Sequence, residues 1–158
     1  MNTHARSRSV QDYLQSENVD FDILPHPHAF TARETAERAH VPGREMAKTV
    51  MVKLDGKLAM AVVAANEWVE LENLRMATGA SEVRLVAEEE FKDRFPECEV
   101  GAMSPFGNLY GMQVIASDTL AADEKIAFNA GSHRELVRMN WSDFERLVHP
   151  QVMRMTRH

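Results

Sequence analysis

Leu58-Ala59-Met60-Ala61-Val62-Val63-Ala64 carries no polar side chain and shows neither helical nor alternating periodicity. Asp55-Gly56 stands just before it, and Thr49 to Leu54 on the far side of that pair has strand character. A short apolar run led in by a tight Asp-Gly turn reads as the second strand of a hairpin, buried on both faces. Such a strand has to lie centrally in its sheet, with packed layers above and below it. The rest of the chain must supply those layers.

The remaining elements follow from caps and stops. Ser9 can cap a first helix, with Asp12 in its first turn and Val10, Tyr13 and Leu14 on one face. Phe21-Asp22-Ile23-Leu24 alternates as a half-buried strand does, and Pro25 ends it. Thr31-Ala32-Arg33-Glu34 is a capping box that opens a helix to about Ala39. Glu70 to Thr78 is a helix stopped by Gly79, Glu82 to Val86 a short strand, and Glu88 to Phe95 a helix with three acids in its first turn, ended by Pro96. Met112 to Ser117 gives another strand, and Asp118-Thr119 a turn. Lys125–Phe128 and Glu135–Met139 are two further strands, and Ser142-Asp143-Phe144-Glu145 is a capping box for a last helix to about Val148. Strict alternation of strand and helix fails in the middle and at the end. The expectation is therefore an α+β fold in a single domain over residues 1–158, with 1–8 and 150–158 as loosely ordered tails.

At 158 residues, with 44% hydrophobic and 27% charged residues, the chain can bury the core such a fold needs. Its net charge of −6 argues against a free-standing nucleic-acid binder, because phosphate contacts need clustered Lys and Arg. A small nucleic-acid end, or a nucleic acid presented by a partner, stays open. The lone Cys98 allows no internal disulfide and suits a reducing compartment. With neither a signal-like apolar region nor a membrane-length run, a cytoplasmic protein without membrane association is expected.

The residues themselves offer several candidate sites, each with two readings. Gly101-Ala102-Met103-Ser104-Pro105-Phe106-Gly107 is either a connecting turn whose Met103 and Phe106 plug into the core, or a rigid loop whose amides face a ligand. Lys48, where a polar turn meets an apolar strand, is either a solvated strand-end lysine or an amine at a cleft mouth. Ser104 lacks a Gly-x-Ser-x-Gly elbow, which favours a structural or substrate-contacting hydroxyl over a nucleophile. Asp118 reads as a cap for its turn. His26 and His28 have no Cys or carboxylate at ligand spacing, so no metal site is expected. Cys98 lies between two acids, which do not promote a thiolate, and the methionines read as core fillers.

Four stretches in order, Met46–Lys53, Ala77-Thr78-Gly79-Ala80, Gly101–Gly107 and Asn129-Ala130-Gly131-Ser132-His133, resemble the YbaK/EbsC family and the related editing domain of bacterial prolyl-tRNA synthetases. The resemblance covers roughly residues 9–149. It implies a mixed, strongly curved sheet closed towards a barrel with helices around it, and a trans-acting aminoacyl-tRNA deacylase as the activity. The chain departs from many relatives at Phe95-Pro96, where they carry a Thr-Gly pair.

By that resemblance Lys48 falls on the family lysine most closely tied to activity, expected to bind the terminal phosphate or ribose of the tRNA and to stabilise charge at the ester. Gly101 and Gly107 would supply amides to the developing oxyanion, Met103, Ser104, Pro105 and Phe106 would shape the amino-acid pocket, and Gly131, Ser132 and His133 would position substrate or water. The implied partners are the 3′ end of an aminoacyl-tRNA and a prolyl-tRNA synthetase or elongation factor presenting it; Arg33, Arg44 and Lys53 are either basic contacts lining the entry or dispersed solvated charges. No cofactor is expected. Two rivals stand beside this reading: a non-catalytic binding module, and a small-molecule esterase using Ser104.

Overall fold

The computed structural model describes residues 9–25, 32–95, 103–130, 135–154 and 156–157. Ten strands and six α-helices lie within them. They run α1 (Ser9–Ser16), β1 (Phe21–Pro25), α2 (Ala32–Ala39), β2 (Ala47–Leu54), β3 (Lys57–Ala64), β4 (Trp68–Val69), α3 (Leu71–Thr78), β5 (Val83–Leu85), α4 (Glu88–Phe91), β6 (Gln113–Ser117), α5 (Asp118–Ala121), β7 (Lys125–Asn129), β8 (Glu135–Asn140), α6 (Trp141–Val148), β9 (Gln151–Met153) and β10 (Thr156–Arg157). The α+β expectation holds.

The apolar run is the centre of the molecule. β3 is the middle strand of a five-stranded sheet ordered β5-β2-β3-β6-β9, antiparallel to β2 and parallel to β6. The hairpin turn has Asp55 and Gly56 both at positive φ, as a two-residue turn of primed type requires. The Asp55 carboxylate also accepts the Ser81 and Glu82 amides, which ties the turn to the start of β5.

Each face of this sheet buries a separate cluster. Met51, Met60, Val62, Ala64, Val114 and Ala116 point into the main core, shared with Ile126, Phe128, Val137 and Met139 of a second sheet and with α1 and α6. Val52, Ala59, Ala61, Val63 and Ile115 point the other way, under Leu74 of α3. The second sheet is antiparallel, ordered β1-β8-β7. Its outer face is covered by α2, where Ala36 packs with Met46, Ala127 and Leu136. A single parallel bridge, Met46 to Ala127, links the two sheets.

Several expectations change. The single curved sheet closing towards a barrel resolves, among the described residues, into three hydrogen-bonded sheets, the third being the pair β4–β10. The tail expected to be loose from residue 150 is built in, since β9 pairs in parallel with β6 and Met153 packs on the second cluster. Asp118 does not cap a turn; Ser117 caps a one-turn helix, its Oγ accepting the Thr119 amide at 3.2 Å. The last helix starts one residue before Ser142, at Trp141 behind Asn140, because Trp141 and Phe144 bury the same face. The helix from Glu88 is α-helical only to Phe91 and tightens to a 3₁₀ turn over Lys92–Arg94. The expected roles of Thr31, His26, His28 and Cys98 lie outside the described residues.

Candidate functional site

Regular pairing of β2 with β3 gives every second residue of β2 to one face, and Lys48 falls on the side of Val50, Val52 and Leu54. Being at the beginning of β2, it escapes the cover that α3 provides further along. Its Nζ stands 4.8 Å from the ring centroid of Trp68, within cation–π range. Partial burial lowers the Lys48 pKa from its ordinary value, and the Glu67 carboxylate offsets part of that shift.

Glu67 is fully buried. Its Oε1 accepts the Ala64 amide at 3.0 Å and its Oε2 accepts the Thr119 hydroxyl at 2.6 Å. One carboxylate thus fastens the end of β3 to the start of α5, and so fixes the turn that carries Trp68. Neither Glu67 nor Trp68 stood out in the sequence. The one available signal was an acid three residues beyond the central apolar run, where a carboxylate has to find internal donors.

The loop residues divide from Lys48. Met103 and Phe106 lie in the main core, on the opposite face of the five-stranded sheet from Lys48. Phe106 is fully buried, with ring centroids of Phe144, Phe128 and Tyr13 at 5.3, 5.5 and 6.0 Å. Pro105 and Gly107 are buried with them. Ser104, 2% exposed, is turned inward, and its Oγ accepts the Phe106 amide at 3.5 Å.

The Gly107 amide donates to the Pro105 carbonyl at 3.0 Å, so the expected oxyanion donor at Gly107 is already engaged within the loop. Gly107 is instead required for close approach: a Cβ there would meet Met112 O and Val114 Cγ2 at 2.6 Å each. Gly101, Gly131, Ser132 and His133 lie outside the described residues. Of the expected basic contacts, Arg44 pairs with Asp123 at 3.3 Å and Lys53 with Glu90 at 3.5 Å, the latter on the face away from Lys48. Arg33 is exposed on α2.

One polar side chain belongs to the fourth family-like stretch but was given no role by the sequence. Asn129 closes β7 and is only 8% exposed. Its Oδ1 is buried and has no hydrogen-bond partner among the described residues. Among the described residues no three His, Cys, Asp or Glu side chains gather as a metal site, and no helix is long and apolar enough to cross a membrane.

Residues 26–147 match the aminoacyl-tRNA editing domain family, and the chain belongs to that family. It is 25% identical over 115 residues to proline–tRNA ligases of Bacillus mycoides and Bacillus cereus, matching 72% of this chain and 20% of each ligase. The matched stretch is thus about a fifth of those enzymes' length. Among solved structures, a protein proposed as a trans-editing enzyme for prolyl tRNA synthetase superposes with a TM-score of 0.80 at 18% identity, covering 100% of this chain and 99% of that one. The hypothetical protein APE2540 superposes at 0.82 with 18% identity, covering 94% and 99%. Both show the shared fold.

Proposed function

We propose that the chain is a trans-acting aminoacyl-tRNA deacylase that hydrolyses mischarged tRNA, with alanine, serine or cysteine on tRNA for proline as substrates. Water adds to the ester carbonyl, the tetrahedral intermediate collapses, and the C–O bond to the terminal ribose breaks to give free amino acid and a restored hydroxyl. The reading needs neither a metal nor a covalent intermediate.

The observation that carries it is Lys48, an ammonium partly withdrawn from water at the start of β2, against the Trp68 ring and in the field of the Glu67 carboxylate. A fixed charge in such a place acts more strongly on a developing oxyanion or a phosphate than a solvated one. Gly101 would supply the loop amide that Gly107 does not, and His133, with Gly131 and Ser132, would position substrate or water. Met103, Ser104, Pro105 and Phe106 would act from behind, as the packed wall that fixes the loop. A buried Ser104 that accepts the Phe106 amide speaks against the esterase reading. With a charge of −6, a synthetase or elongation factor presenting the tRNA in the cytoplasm completes the proposal.

The test is a deacylation screen of all amino acids on tRNA for proline, with Lys48→Ala alongside. Release of a small non-cognate amino acid, reduced about 10²-fold or more in the variant, is expected. No turnover above buffer across the panel would favour the non-catalytic module, and full activity in Lys48→Ala would remove that residue from the site.

A further inference from the structure

We infer that Asn129 is a substrate-binding residue whose Oδ1 accepts a hydrogen bond from the free hydroxyl of the terminal ribose, next to the ester. This rests on the deacylase reading for the identity of the ligand, and on two independent features of the structure for the site.

The first is register. Met46 and Ala127 form a parallel bridge, and the Ala127 amide donates to the Glu45 carbonyl at 2.9 Å. Extrapolated two residues along each strand, that register would place Asn129 at the end of the sheets where Lys48 lies. The two-residue period returns both side chains to the side that carries Met46 and Ala127. β2 and β7 belong to different sheets, so the strands bring together residues that are 81 positions apart in sequence.

The second is an orphaned acceptor. Asn129 Oδ1 is buried and accepts no hydrogen bond among the described residues. A desolvated amide oxygen without a donor is a standing cost that folded proteins rarely retain. An apolar residue of similar size would remove that cost. A ligand donor would remove it as well, and only that alternative uses an asparagine.

The neighbour decides which donor fits. A Lys48 ammonium at that end of the sheets repels a second cation, which disfavours the α-ammonium of an aminoacyl ester and favours a neutral O–H. Lys48 donating to ester or phosphate oxygen and Asn129 accepting from the adjacent hydroxyl would hold one ribose at two points. That pair also distinguishes an RNA end from a DNA end.

The experiment measures binding, independent of turnover, with adenosine analogues carrying alanine through a 3′-amide, which resists deacylation. Three ligands are compared by calorimetry: one with the 2′-hydroxyl, its 2′-deoxy counterpart, and an N-acetylalanyl form with the hydroxyl. The wild-type protein should prefer the hydroxyl form over the deoxy form by about tenfold. Asn129→Leu should bind both alike with an undiminished Tm, and Asn129→Asp, which keeps an acceptor, should retain the preference. Equal binding of the first two by the wild type, or a preference that survives in Asn129→Leu, overturns the inference. So does binding of none of the three, or loss in Asn129→Leu of discrimination against the N-acetyl form alone. Hydroxyl-dependent binding without hydrolysis of any mischarged tRNA would refute the deacylase reading and leave this contact standing.

Discussion

Gly107→Ala is a single-methyl test of how tightly the buried loop is built. An added Cβ would stand 2.6 Å from Val114 Cγ2 and 2.6 Å from the Met112 carbonyl oxygen. Carbon–carbon contacts settle near 3.5–4.0 Å, so the shortfall against Val114 is about an ångström. Neither neighbour yields easily, since Met112 O is backbone at the mouth of β6 and Val114 is β-branched and buried within it. Relief must separate Gly107 from Met112, where the Gly107 carbonyl accepts the Tyr110 and Met112 amides at 2.9 Å each.

Overpacking of this kind costs about 1–3 kcal/mol, and each weakened hydrogen bond about 0.5–1.5 kcal/mol. The stiffer unfolded chain returns about 0.4–1 kcal/mol. The net expectation is a loss of about 2–4 kcal/mol. With a urea m-value of about 2 kcal/mol/M, the unfolding midpoint followed by tryptophan fluorescence should fall by about 1–2 M. Gly43→Ala is the control, because its Cβ would meet nothing nearer than Asn66 at 3.8 Å. That variant should stay within about 1 kcal/mol of wild type. A Gly107→Ala protein with an unchanged midpoint and m-value would refute the packing argument.

Phe106→Ala empties the centre of the aromatic group formed with Tyr13, Phe128 and Phe144, and should cost about 3–5 kcal/mol in the same urea experiment. Lys48→Met should raise Tm at neutral pH, because burial disfavours the charged amine and lowers its folded pKa. The unfolded chain then binds more protons between the lowered folded value and about 10.5, so wild-type stability recovers with rising pH and the variant's advantage should fade across that window. Glu90 is held down to about 2, first by its hydrogen bonds from Arg84 and then by the Ala87 amide. Its stabilising contribution is present above its unfolded value and is lost as pH falls towards 2. Glu90→Gln should therefore melt below wild type at pH 7 and together with it at pH 2; a constant gap would count against the ion pair as its origin.

What the sequence disclosed follows a physical rule: signals that depend on neighbours in sequence were readable, and those that depend on distant register were not. Leu58–Ala64 announced a doubly covered strand because nothing polar in it could face water. Asp55-Gly56 and Gly79 announced a turn and a helix stop through the positive φ each adopts. By contrast β9 is three residues long with exposed Gln151 and Val152, and only its pairing with Ile115–Ser117 makes it a strand. Gly107 looked like a candidate amide donor, whereas its constraint comes from Met112 and Val114. Lys48 was visible as a candidate residue. Trp68 and Glu67 were invisible because their association with it is set by how the turn after β3 folds back, and Asn129, though inside a family-like stretch, carried no sign of its burial.

The parallel pairing of β9 with β6 bears on how the chain can be made. Ser117 emerges during synthesis about 34 residues before Gln151, the first residue of the strand that covers its sheet edge. At about 5–20 residues per second, that edge stays unpaired for roughly 2–7 s. An open edge beside an apolar central strand is a template for pairing with another nascent chain. α6, lying between β8 and β9, emerges within that interval and can bury its Trp141–Phe144 face first. The later emergence of Gln151–Met153 therefore shuts an edge against neighbouring nascent chains, a task in assembly that begins before any substrate is met.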